Sequence, residues 1–294
     1  MAYRWNEFGK LIKYNELAEY LDGREYLHTK YFHYTKLYII ESILKNNCFW
    51  LSCVDGFNDD IDKKQFGEEK QQKEYYSICF STGINENLSL WYLYSGIDGK
   101  GGRIQMTKSV VKNLINNGDY YLYEFDEENK KLNESNPIEL KIGVDAELLF
   151  KDVIYYSEQN GKTSLKYNTM TNYKFEDLAS LKEKHNNFLK GLIWYCEKET
   201  RLVVHLIGDA LKIVENNANK KYIVVLSFDD SLKKKISIDV GPEMNDLYEL
   251  LSDSNYPSIK QKLLDSSKVK LSNYHGQIKM NICNKCEYRK ESSN

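Results

Sequence analysis

The stretch WYCEKETRLVVHL, residues 194–206, carries the clearest strand signature in the chain. If it enters a strand near Glu197, the period of two puts Glu197, Glu199 and Arg201 on one face, with Leu202, Val204 and Leu206 on the other. One face is then apolar and the other carries two carboxylates beside an arginine. Such a pair is either an edge-strand ion pair or a working acid and base, and the segment alone leaves both open.

Similar strand signals recur on both sides of this segment. YFHYT (31–35) is short, aromatic and β-prone, and KLYIIESILKNN after it repeats Leu37, Ile40, Ile43 and Leu44 at helical spacing. Thr35 stands where an N-cap would, and Asn46-Asn47 ends the pattern. Further strands are expected at 48–52, 75–81, 120–125, 152–157, 200–207, 222–228 and 236–240, with one near QIKMNI. Helices are expected at NLSLWYLYSG (87–96), TKSVVKNLINN, EMNDLYELL and PSIKQKLLD. A longer one is expected over roughly 176–195, where Leu178, Leu181, His185, Phe188, Leu189, Leu192 and Ile193 approach a 3.6 period. Many short strands with few helices and no regular alternation predict an α+β fold. The expected organisation is an N-terminal helical element over 1–30, one α+β domain over 31–282 and a polar tail over 283–294.

Composition narrows the function classes. The 294 residues carry 41 Lys plus Arg against 43 Asp plus Glu, a net charge of −2, so no global field favours nucleic-acid phosphates. The triplet Lys233–Lys235 reads as a solvated face. The opening MAYRWNEFGK lacks a secretory apolar centre and no long apolar run follows, so a cytoplasmic chain without a membrane partner is expected. Cys48, Cys53, Cys79 and Cys196 sit in apolar or aromatic stretches and are expected as reduced, small hydrophobes.

Several motifs point to little. Cys283 and Cys286 form a single CxxC with only His275 nearby, too few ligands for a structural zinc, and no metal site is expected. The acidic run Asp55, Asp59, Asp60 and Asp62 lacks the glycine and terminal glutamate of a calcium loop and reads as a solvated loop. No P-loop, GxGxxG, HExxH or GxSxG is present. His33, at the end of its strand, reads alone as a half-buried core histidine and gains meaning only if paired with Glu199.

The order of motifs YFHYTKLYIIESILKNNCFWLS, FND, YYSICFS, LWYLYS, VIYY and LKGLIWYCEKETRLV is similar to the bacterial family designated domain of unknown function 2971, over roughly residues 30–275. An early strand histidine, central aromatics and a late Glu-x-Glu also resemble, more distantly, the signature of ADP-ribosyltransferases. That resemblance implies a split mixed or antiparallel sheet with flanking helices and NAD as substrate. It implies Glu199 as catalytic glutamate and Glu197 as its auxiliary. His33 would hold the ribose or carboxamide side of NAD, and Tyr94 or Tyr92 would stack on nicotinamide. Tyr34, Thr35, Ser52 and Arg201 complete the implied binding set. Chemically, a fixed carboxylate stabilises the oxocarbenium-like state of nicotinamide release, and a second one serves the acceptor. The company such enzymes keep implies a toxin or phage-defence effector modifying a protein or nucleic acid. The alternative is a catalytically silent module that binds a nucleotide or partner in the same cleft.

Overall fold

A computed structural model describes residues 28–82, 86–95, 101–159, 162–167, 173–175, 186–242, 247, 250, 252–265 and 268–274. The N-terminal helical element up to residue 27, the helix segment 176–185, most of EMNDLYELL, the strand near QIKMNI, the CxxC with His275 and the polar tail lie outside the described residues.

The first third of the fold follows the sequence closely. Strand β1 (Lys30–Thr35) leads into helix α1 (Leu37–Asn46), which buries Leu37, Ile40, Ile43 and Leu44 along one face. Lys36, not Thr35, occupies the N-cap position and no side chain caps it, because Thr35 stays buried in the strand. Asn47 closes the helix with φ of 51°, the left-handed cap an asparagine tolerates. Strand β2 is Cys48–Cys53. The acidic run after it is not a solvated loop. It forms helix α2 (Asp60–Lys64), whose cap Asp59 accepts from the amides of Ile61 and Asp62, and it buries Asp62. Asp59→Ala should cost about 1 kcal/mol, the usual value of such a cap. Urea unfolding indistinguishable from wild type would contradict that role.

Helix α3 (Glu69–Gln72) and strand β3 (Tyr75–Ser81) come next, followed by α4 (Leu88–Tyr94), β4 (Gly102–Thr107) and α5 (Lys108–Asn117). Strands β5 (Asp119–Asp126), β6 (Lys131–Leu132), β7 (Ile138–Glu139), β8 (Ala146–Asp152), β9 (Ile154–Gln159), β10 (Lys162–Tyr167), β11 (Tyr173–Phe175) and β12 (Leu189–Gly191) follow. Strand β13 (Glu199–Leu206), α6 (Gly208–Asn216), β14 (Lys221–Ser227), α7 (Asp230–Lys235), β15 (Ser237–Val240), α8 (Pro257–Asp265) and β16 (Val269–Leu271) complete the order. The sequence pattern did not anticipate β8 or α6. Helix α6 opens on Gly208 at φ of +59°, where an added Cβ would meet the Val144 carbonyl oxygen at 2.6 Å. Cys196 is exposed, unlike the buried Cys48.

Twelve strands join in one mixed, mainly antiparallel sheet that forks at β3. Along one edge β3 pairs with β13 over its whole length, Glu199 opposite Ser81 and His205 opposite Tyr75, and β13 continues to β8. The other edge of β3 is shared. β1 meets it only at Phe32 opposite Ser81, and β2 meets it at Ser52 opposite Ser77 and Cys53 opposite Tyr76. From there β1 leads to β4, β15 and β16, while β2 leads to β14, β5 and the two short strands β6 and β7. A separate four-stranded sheet runs β11-β10-β9-β12.

One face of the forked sheet is apolar. Tyr31, Ile78, Phe80, Ile104, Leu202, Val204, Leu122 and Val224 project into a single core closed by α1, α5, α6 and α8. The opposite face of the β3 arm carries Glu199 and Arg201, together with a smaller cluster of Phe32, Tyr34, Leu90 and Trp91 under α4. Among the described residues no helix is long and apolar enough to cross a membrane.

Candidate functional site

The acidic pair Glu197 and Glu199 does not sit in one continuous strand. Leu192–Glu197 forms a 3₁₀ turn, Lys198 takes φ of 45°, and β13 begins at Glu199. A left-handed lysine is costly unless it is held, and here Thr82 donates to its carbonyl from both N (3.0 Å) and Oγ1 (2.9 Å). The kink turns both carboxylates toward one ammonium. Lys190 Nζ lies 2.7 Å from Glu197 Oε2 and 3.0 Å from Glu199 Oε2. Glu199 Oε1 accepts from Arg201 Nε at 2.6 Å, and the rest of that guanidinium grips Asp62 at 3.0 and 2.9 Å. Arg201 is fully buried, with Phe57 and Phe66 rings 5.5 and 5.6 Å away. At the outer end, Tyr94 Oη donates to Glu197 Oε1 at 2.5 Å, while the tyrosine as a whole is 45% exposed.

The chain of contacts therefore runs from Asp62 in the interior through Arg201, Glu199, Lys190 and Glu197 to a surface tyrosine. It holds three carboxylates against two cations. Burial is the largest influence on Glu199 and favours its neutral form, but Arg201 and then Lys190 outweigh it and hold the carboxyl well below the usual range. Glu197 moves the opposite way: burial, aided by repulsion from Glu199, outweighs the pull of Lys190 and raises it. Burial opposes the charge of Lys190, yet Glu199 and Glu197 keep it an ammonium. Two carboxyls held apart in this manner are the environment pattern of an acid and base pair.

Glu199, depressed in the folded state, stabilises above its ordinary value near 4.5, and that contribution is lost as pH falls below it. Glu197, raised, contributes most below 4.5 and loses that contribution as pH climbs through its folded value. Glu199→Gln should therefore lower the melting temperature at pH 7, and Glu197→Gln should leave it unchanged or raise it. Equal losses in thermal unfolding would contradict the opposed environments.

The expected site residues divide sharply. Glu197, Glu199, Arg201 and Tyr94 come together. His33 does not join them, which corrects the expectation of one pocket. It stands opposite Ile104 across β1 and β4, so its ring shares the core face, between Phe49 and Phe80 at 6.1 and 6.0 Å. Phe32 is the β1 residue on Glu199's face, since both align with Ser81. His33 Nδ1 contacts the Cys79 carbonyl oxygen at 3.0 Å, at the point where the sheet forks, and burial keeps its imidazole below the usual range.

Tyr34 and Thr35 are buried in β1. The Tyr34 hydroxyl accepts from Arg103 (3.0 Å) and from the Asn87 amide (3.1 Å), and its ring meets Trp91 edge-on at 5.1 Å. Ser52 is exposed on β2, and Tyr92 is exposed on α4 beside Tyr94. Arg201 has no exposed surface, so it holds other side chains in place and is not a ligand contact.

Two members were missed in the sequence. Asp62 lay in the supposed solvated loop, although an arginine leading the apolar run Leu202–Val204 does call for a counter-ion somewhere. Lys190 fell inside the expected long helix. Its segment instead forms the 3₁₀ turn Asn186–Phe188, strand β12 and the turn Leu192–Glu197. Among the described residues no group of three or more His, Cys, Asp or Glu is arranged to hold a metal ion. No protein-family model matches the chain, and neither a curated protein nor a solved structure matches it.

Proposed function

We propose that the chain is an ADP-ribosyltransferase-like enzyme that breaks the nicotinamide–ribose bond of NAD, with the roles of its two glutamates exchanged from the motif-based assignment. The observation that carries this reading is the Lys190-bridged pair, in which one carboxyl is depressed and committed while the other is raised and reaches a surface tyrosine. Glu197 is then the group that faces the ribose and stabilises its developing positive charge. Glu199 does not touch substrate; with both oxygens held by Arg201 and Lys190, it fixes Lys190 and through it Glu197. Tyr94 guards Glu197 and yields its hydrogen bond to a ribose hydroxyl. The forked sheet is in keeping with the split sheet of that fold.

A second reading, a catalytically silent module that binds a nucleotide in the same place, is favoured by a different observation. All four oxygens of Glu197 and Glu199 have partners, and His33 is turned to the other face. The experiment incubates the purified chain with NAD, alone and with candidate protein and RNA acceptors, and follows nicotinamide by chromatography. Release supports the enzyme, binding without release supports the module, and absence of both refutes the two together.

A further inference from the structure

The arm of the sheet built from β2, β14 and β5 has a second aromatic face that the proposed chemistry does not use. Phe49, Leu51, Leu122, Val224 and Leu226 fill the core side. Alternation then sends Trp50, Tyr121, Tyr123 and Phe125 to the other side, around Ile223 and Val225. Among these rings Trp50 is exposed, and Tyr121, Tyr123 and Phe125 are half-buried. Trp50 is 38% exposed and meets Phe125 edge-on at 6.1 Å, and Tyr121 and Tyr123 lie 6.3 Å apart. Tyr, Trp and Phe gathered on an open face are the residues that dominate the energy of protein interfaces.

The charges around this face decide what fits it. Glu139 stands opposite Tyr121 in the register, and Asp119 opens the same strand two residues before it. Burial first, then Tyr121, push the Tyr123 phenol upward. Among the described residues no cation pairs with Asp119 or Glu139. Lys221, opposite Phe125 on this face, is spent on Glu127 at 2.6 Å, and Lys220 on Glu124 at 2.8 Å. An acidic rim repels nucleic-acid phosphates, and a second copy of the chain would bring the same rim against itself. A lysine or arginine side chain, in contrast, gains both a ring face and a carboxylate.

We infer that this face is a docking surface for a partner protein that presents a segment of apolar residues interspersed with lysine or arginine. It is independent of the NAD reading and would hold if the chain never cleaves NAD.

The test selects a displayed random dodecapeptide library on the full chain, with the Trp50→Ala chain as the subtraction. Selected peptides are then measured by fluorescence anisotropy. Basic and apolar residues should be enriched. The recovered peptides should bind Trp50→Ala at least about tenfold more weakly, and the surface variant Asp119→Lys/Glu139→Lys should lose affinity similarly while unfolding like wild type. Three results overturn the inference: enrichment of acidic peptides, no enrichment beyond the Trp50→Ala chain, or tighter binding of a thymidine oligonucleotide than of any selected peptide.

Discussion

Arg201→Met should destabilise the protein by about 3–5 kcal/mol, the cost of removing one partner from a buried ionic network. The magnitude follows from what is left behind. Asp62 is 3% exposed and Glu199 4% exposed, and both lose the guanidinium that satisfies them at 2.6 to 3.0 Å. Lys190 cannot replace it, because its ammonium already serves Glu197 and Glu199 and stands 3.7 Å from Asp62. Removing the acid together with the base should recover much of the loss, since an apolar substitute for a buried pair is often neutral or better. Asp62→Leu in the Arg201→Met background is that variant. Urea unfolding checks both, and a loss under about 1 kcal/mol for Arg201→Met would show that the network does not hold the fold.

Glu197→Gln should lower nicotinamide release by on the order of 10²–10³ while leaving NAD affinity nearly intact, as expected for one preorganised charge at a developing cation. Glutamine matches the size, its oxygen can still accept from Lys190 and its amide can donate to the Tyr94 hydroxyl, so the main change is the lost charge. Glu199→Gln should also reduce turnover, but through stability and through Lys190, so its effect should be accompanied by a lower melting temperature. His33→Ala should not change turnover per folded molecule, because the ring lies on the core face. A turnover loss in His33→Ala larger than in Glu197→Gln would restore the motif-based assignment.

The strands were legible because their alternation is strong: Leu202, Val204 and Leu206 are unambiguous, and so was the apolar face of α1. The α+β class came from those same signals, whereas the mixed or antiparallel sheet was implied only by the family resemblance. Which face His33 would take was not legible. Both sets of β1 residues are aromatic, Tyr31 and His33 on one side and Phe32 and Tyr34 on the other, so hydrophobicity gives the alternation no polarity. Lys190 was hidden for another reason. Phe188, Leu189, Leu192 and Ile193 are spaced as in a helix, yet parallel pairing of Leu189 with Ile154 overrides that pattern. Asp62 and Arg201 are 139 residues apart, and nothing local in an acidic turn announces a distant buried arginine.

The most direct test of the account is the pH dependence of nicotinamide release by wild type, Tyr94→Phe and Glu197→Gln. A raised Glu197 must lose its proton to stabilise the ribosyl cation, so wild-type turnover should fall on acidification at a pH above the ordinary carboxylate range. Tyr94 donates a hydrogen bond that favours the charged form, so Tyr94→Phe should move this fall to still higher pH. Glu197→Gln should show residual turnover without it. The account is contradicted if wild type releases no nicotinamide at any pH, or if Glu197→Gln releases it as fast and with the same acid limb.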